Sequence, residues 1–231
     1  MRLKLGAIVV VLAVWAACPA LAAERTISRL KADQEGRVAL VIGNSAYQQG
    51  QLRNPVNDAR AVAKALKGLG FEVMSGENLD YQRMRRLIVR FGRKIDRGGV
   101  GLFYFAGHGV QSKGRNYLIP VNAPINYEED LEAEAVDLAS VLAKMAGARN
   151  GLNIVILDAC RNNPFARTFR SAGPAGLAQV SAPRGTFIAY ATSPGKVAAD
   201  GPGQHGLFTE SLIRHINRPG LTIERLFKAV R

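Results

Sequence analysis

The chain has 231 residues, of which 48% are hydrophobic and 21% charged, and 31 Lys and Arg against 18 Asp and Glu give a formal net charge of +13. That balance belongs to a folded domain rather than a disordered chain, and no heptad or Gly-x-y period supports a coiled coil or collagen. Two cysteines exclude a disulfide-built scaffold.

In chain order the first feature is a leader. Arg2 and Lys4 precede an uncharged apolar run from Leu5 to Ala17, and Ala20-Leu21-Ala22 supplies a small-residue cleavage pattern before Glu24. This predicts a secretory signal peptide over residues 1–22, too short and wrongly flanked for a stable membrane span; a retained anchor is the alternative. The predicted location is secreted or periplasmic. Residues 23–36 read as a linker to a domain over 37–231. Cleavage removes Cys18 and leaves Cys160 as the only thiol, so no intramolecular disulfide forms even in an oxidising compartment.

Strands and helices then alternate. Arg37 to Ile42 is a β-branched apolar run and predicts a buried strand. An amphipathic helix follows over Asn57 to Leu69, N-capped by Asn57 and closed by Gly70. A strand at Phe71 to Met74 leads into a basic helix from Asp80 to Asp96. Its apolar face is Met84, Leu87, Ile88, Phe91 and Ile95, and its solvent face carries Arg83, Arg85, Arg86, Arg90, Arg93, Lys94 and Arg97. A solvated helix face explains that patch, and predicted export argues against nucleic acid as partner.

Val100 to Phe105 predicts a second buried strand, ending in Ala106-Gly107-His108-Gly109. A strand at Tyr117 to Pro120 and an acidic helix over Leu131 to Met145 follow. Asn153 to Leu157 predicts a third buried strand, ending in Asp158-Ala159-Cys160. Residues 161–185 form a loop rich in Gly, Pro, Ala and Arg, and residues 186–231 supply a strand at Thr186 to Ala191 and helices at Leu207 to Asn217 and Ile223 to Val230. The alternation predicts an α/β fold with a mostly parallel sheet sandwiched between helices.

In such sheets functional residues gather beyond the carboxyl ends of the strands, where two of the buried runs deliver His108, between two glycines, and Cys160. A histidine beside a thiol takes its proton or pairs with the thiolate, which makes a nucleophile competent near neutral pH. Each residue alone has a plain structural reading: a satisfied histidine, a small buried hydrophobe. Two further histidines, His205 and His215, lie in no motif and read as surface residues. Asn44, Asn116 and Asn162 read as caps of loop backbone.

FYFAGHG and LDACRNNPF resemble the caspase-type cysteine peptidases (peptidase C14), specifically their bacterial metacaspase-like relatives. RVALVIGNSAY, LRNPVNDARAVAKALKGLGFEV, GRNYLIPVNA, YATSPGKVAADG and GLFTESLI agree with that family in the same order, and the separation of His108 from Cys160 is the family's ~50 residues. The resemblance implies the caspase-hemoglobinase fold with a sheet of about six strands, large-subunit-like over 37–160 and small-subunit-like over 186–231. It implies Cys160 as nucleophile, His108 as general base and acid, and the backbone N–H groups of Gly109 and Cys160 as the oxyanion hole.

Animal caspases cleave after aspartate with two arginines and a glutamine around the pocket. Here Asp158 stands at the glutamine position, Asp200 near one arginine position, and Leu52 with Arg53 near the other. A pocket lined by Asp158 and Asp200 pairs with Arg or Lys and repels acids, so the expected partner is a polypeptide with a basic residue before the scissile bond. Asp158 orienting the nucleophile loop is the alternative. No cofactor is required by this chemistry. Calcium activation, as in many metacaspases, is suggested by Glu128, Glu129, Asp130, Glu132, Glu134 and Asp137, although their spacing matches no calcium loop and a solvated helix start also explains them. Arginines at 161, 167, 170 and 184 make self-cleavage of the 161–185 loop a further expectation. Two rival functions stay open: a catalytically silent caspase-fold binding or scaffold module of the cell envelope, and an anion-binding α/β domain, against which the missing Gly-rich phosphate loop argues. The oligomeric state is open.

Overall fold

β1 (Arg37–Gly43) forms where a β-branched run is apolar on both faces, and it sits inside the sheet with every residue after Arg37 buried. β2 (Glu72–Glu77) and β3 (Val100–Ser112) flank it, both parallel to it; β6 (Leu152–Cys160) pairs parallel with β3, and β7 (Thr186–Tyr190) parallel with β6. The parallel order is therefore β2-β1-β3-β6-β7. β4 (Arg115–Leu118) folds back antiparallel on the last residues of β3, and the two-residue β5 (Val136–Asp137) pairs with β4. The structure is a computed structural model and describes residues 36–96, 98–160, 165, 169, 177–191 and 203–230, with the backbone alone at Cys160. Arg97, Asn162, Asp200 and most of the 161–185 loop lie outside the described residues.

Helices cover both faces, as parallel strands buried on both sides require. On one face, α2 (Tyr81–Ile95) and α4 (Leu138–Ala146) bury Met84, Ile88, Phe91, Ile95, Val141 and Met145 against Leu40, Ile42, Phe103, Phe105, Val155 and Leu157. On the other, α1 (Pro55–Gly68), α5 (Leu207–His215) and α6 (Ile223–Val230) bury Val62, Leu66, Leu212 and Phe227 against Val41, Leu102, Tyr104 and Ile156. The basic residues of α2 at 83, 85, 86, 90 and 93 are exposed, as expected of a solvated helix face.

Three of the differences from the predicted elements have a clear local cause. α1 begins two residues earlier than expected, at Pro55, with Asn54 rather than Asn57 as N-cap and no side-chain cap bond; Pro at the first turn loses no intrahelical hydrogen bond and has its φ preset. Gly70 does close the helix, at φ +79°, its N–H donating to the Lys67 carbonyl at 3.1 Å. The acidic segment is not one helix: a 3₁₀ turn (Glu128–Asp130) and the four-residue α3 (Leu131–Glu134) stop at β5, and α4 restarts with the Asp137 carboxylate capping the Ala139 N–H at 2.9 Å. Pairing with β4 outweighs helical continuity there. Third, β3 does not end at Phe105 but runs through His108 to Ser112, because β4 takes over its edge where β1 stops.

Candidate active site

Strand register brings the two predicted catalytic positions together. His108 on β3 is the Cα partner of Cys160 on β6, and Ala106 is the partner of Asp158. Side chains alternate between faces along a strand, so Tyr104 and Ala106 of β3 and Ile156 and Asp158 of β6 share the face covered by α1 and α5. The glycine at 107 works through its space. At φ +154° a Cβ there meets the Tyr47 hydroxyl at 2.5 Å, and only glycine admits the phenol this close to the histidine.

The imidazole is 2% exposed. Its Nε2 lies 2.6 Å from the Gly50 carbonyl, in the loop after β1. A carbonyl only accepts, so Nε2 carries the proton, and Nδ1 of the neutral ring is then the basic nitrogen. That Nδ1 is buried and makes no hydrogen bond among the described residues. Burial pushes the His108 pKa below its ordinary value, with the Gly50 carbonyl opposing in part. A buried, neutral histidine with one nitrogen anchored and the other open is the form a general base needs. His108 O accepts from Ile119 N at 3.0 Å, on the β4 side. Gly109, the next residue, therefore turns its N–H to the opposite edge, where the backbone of β6 ends at Cys160.

Asp158 is buried at the base of this arrangement. Its Oδ2 lies 2.6 Å from Thr209 Oγ1 and 3.2 Å from Tyr104 Oη, and those two hydroxyls lie 2.7 Å apart. Tyr104 is fully buried, and burial with the charges of Asp158 and Asp58 holds its phenol well above the ordinary range, so it stays a neutral donor. Asp58, which sequence reasoning passed over, is the second acid here. It is 3% exposed on α1 and accepts from the Gly206 N–H at 3.2 Å, with His205 Nδ1 at 2.9 Å. A charged residue at a core-facing position of α1, with Val62 and Leu66 one and two turns on, was the available signal. His205, expected at the surface, instead sits on this buried carboxylate, because α5 presents its N-terminal turn to α1. His215 bonds within α5, to the Ser211 carbonyl at 2.8 Å.

The family of caspase domains, Peptidase C14, matches residues 36–231. The chain belongs to the caspase family of peptidases. Over 126 residues, 54% of this chain, the caspase domain is 34% identical to the human mucosa-associated lymphoid tissue lymphoma translocation protein 1, covering 15% of that protein. It is 26% identical over 142 residues to a Desulfuromonadales bacterium protein named a probable protease, covering 56% of this chain and 17% of that one. The caspase domain thus spans a small part of the curated relatives it matches. The crystal structure of the Drosophila initiator caspase Dronc superposes with a TM-score of 0.59 at 11% identity, covering 85% of this chain and 73% of that one, which shows the caspase fold.

The acidic run is not assembled as a cation cage among the described residues. Arg115 pairs with Glu132 at 3.0 Å and Asp137 at 2.6 Å, Ser112 donates to Glu128 at 2.5 Å, and Asp130 accepts from the Asn126 and Tyr127 N–H groups, each at 2.8 Å.

Proposed function

We propose that this caspase domain is a cysteine endopeptidase that cleaves after Arg or Lys, with Cys160 as nucleophile and His108 as base and acid. The observation that carries the reading is the direct register pairing of His108 with Cys160, beside an imidazole whose Nδ1 is buried and unpartnered among the described residues. In the reaction His108 Nδ1 takes the Cys160 thiol proton as the sulfur attacks the substrate carbonyl carbon. The carbonyl oxygen becomes an oxyanion, stabilised by the backbone N–H groups of Gly109 and Cys160. His108 then protonates the leaving amine and the C–N bond breaks. Water, deprotonated by the same nitrogen, hydrolyses the thioester and frees the sulfur.

Asp158 and Asp58 support the basic preference: two buried carboxylates near the strand ends favour a cation. Asp58 adds a second buried carboxylate to Asp158, and Asp200, the other acid expected at the pocket, lies outside the described residues. The apolar leader over residues 1–22 supports a periplasmic or secreted location for this activity.

Peptides ending in Arg, Lys, Asp or Ala test the reading, assayed on the chain without residues 1–22 and on Cys160→Ala and His108→Ala. Cleavage after Arg or Lys, lost by about three orders of magnitude or more in either variant, is the expected result. A folded protein that turns over nothing supports instead the silent binding module, and preference for Asp overturns the pocket.

A further inference from the structure

His108 sits where β3 changes partner. On one edge β3 pairs with β1 as far as Ala106 and with β4 from Gly109 onward, so the histidine falls between two ladders. Its carbonyl is satisfied by Ile119 N at 3.0 Å, just past β4. In a regular antiparallel rung the His108 N–H returns the bond to the Ile119 carbonyl. It does not here. The His108 N–H donates to Tyr47 Oη at 2.9 Å, and Tyr47 Oη donates onward to the Ile119 carbonyl at 3.0 Å. A phenol hydroxyl is thus inserted into the rung, and the ladder opens by one oxygen at the histidine.

The same side chain packs on the imidazole. The Tyr47 and His108 rings lie 4.4 Å apart, tilted by 54°. Tyr47 is 8% exposed, held in a core of Val110, Tyr117, Ile119 and Val121. Three residues on, the same loop supplies the Gly50 carbonyl to Nε2. One loop therefore grips the histidine at its main-chain nitrogen, its ring face and its ring nitrogen, and two of the three grips belong to Tyr47.

We propose that Tyr47 is a positioning residue: its hydroxyl serves as the missing rung that sets the His108 backbone, and its ring holds the imidazole on the Gly50 carbonyl with Nδ1 free for the thiol. This rests on the proposed Cys160–His108 chemistry. It goes beyond a packing role, since a merely structural tyrosine affects stability and leaves the chemistry of the surviving folded protein unchanged. Burial and the Gly50 carbonyl set the imidazole's proton affinity. Without the hydroxyl the His108 N–H loses its acceptor, the backbone at the histidine shifts and the imidazole loosens in its packing, which admits water and moves that affinity up toward its ordinary value.

The test compares wild type with Tyr47→Phe, which keeps the ring and loses only the hydroxyl. Rates on the preferred peptide are referred to the folded fraction from circular dichroism. Expected is a fall in kcat of about tenfold or more with KM within about twofold, and an acid limb of kcat/KM displaced to higher pH. Should Tyr47→Phe not fold, Tyr47→p-aminophenylalanine keeps a donor for the Ile119 carbonyl while weakening the acceptor for His108. It is expected to show the same displacement, smaller in size. Either folded variant with wild-type kcat and acid limb, beside inactive Cys160→Ala and His108→Ala, overturns the role of Tyr47. Wild-type turnover that survives both of those substitutions overturns the dyad instead, so the two failures read differently.

Discussion

At the scale of single residues, the state of His108 has a consequence for stability. Its folded pKa is lowered from 6.5 by burial, so the unfolded chain takes up a proton there at a pH where the folded protein does not. Stability from this site is whole above about pH 6.5 and is lost as pH falls through the lowered folded value. Urea unfolding of wild type and His108→Gln should differ by a constant amount above pH 7. Between pH 6.5 and 5 the difference should shift in favour of the variant, which has no proton to exclude; a difference flat across the whole range contradicts a buried neutral imidazole. His108 and Cys160 were legible as candidates because a histidine between two glycines after one apolar run and a cysteine closing another are local signals. Asp58 and Tyr47 were not, since an acid in a helix and a tyrosine in a loop gain meaning only from what packs against them.

At the scale of elements, α2 shows how little of this fold rests on helix propensity. Its first turn is fixed by the Asp80 carboxylate on the Arg83 N–H at 2.8 Å, but its hold on the sheet comes from four buried side chains. Phe91, 1% exposed between α4 and the sheet, should cost about 3–5 kcal/mol when cut to Ala, because the packed neighbours close the cavity only in part. Thermal and urea melts measure this, and a loss under 1 kcal/mol would mean the site collapses freely. The helical period of α2 was plain in the sequence. The break in the acidic segment was not, because a two-residue strand is specified by its partner β4 rather than by its own residues.

At the scale of the whole molecule, α5 is tied to the end of β6 and to α1 by polar bonds across more than 50 residues of sequence. Thr209, fully buried, reaches Asp158 at 2.6 Å, and the Gly206 N–H reaches Asp58 at 3.2 Å. The segment over 186–231 therefore sets the surroundings of both Asp158 and Asp58. Thr209→Val keeps the shape and removes the hydroxyl, leaving the Asp158 carboxylate one donor short. It should cost about 1–3 kcal/mol in stability and, beyond that, weaken cleavage after Arg relative to wild type. Calorimetry and the peptide panel read the two effects separately, and a variant unchanged in both removes Thr209 from the pocket.

The amino-acid sequence by itself determined the alternation of strands and helices, the basic solvent face of α2, and two candidate residues, His108 and Cys160, each following a buried apolar run. Those features repeat along the chain at periods of 2 and 3.6, or sit within a few residues of a glycine, so short windows carry them. Only the tertiary structure decided that His108 lies inside a strand opposite Cys160, that Tyr47 fills the gap between two ladders, and that Asp58 joins Asp158 behind α5. These are contacts between segments tens to more than a hundred residues apart. Register and packing create them, and no local pattern encodes which distant atom will stand at hydrogen-bond distance.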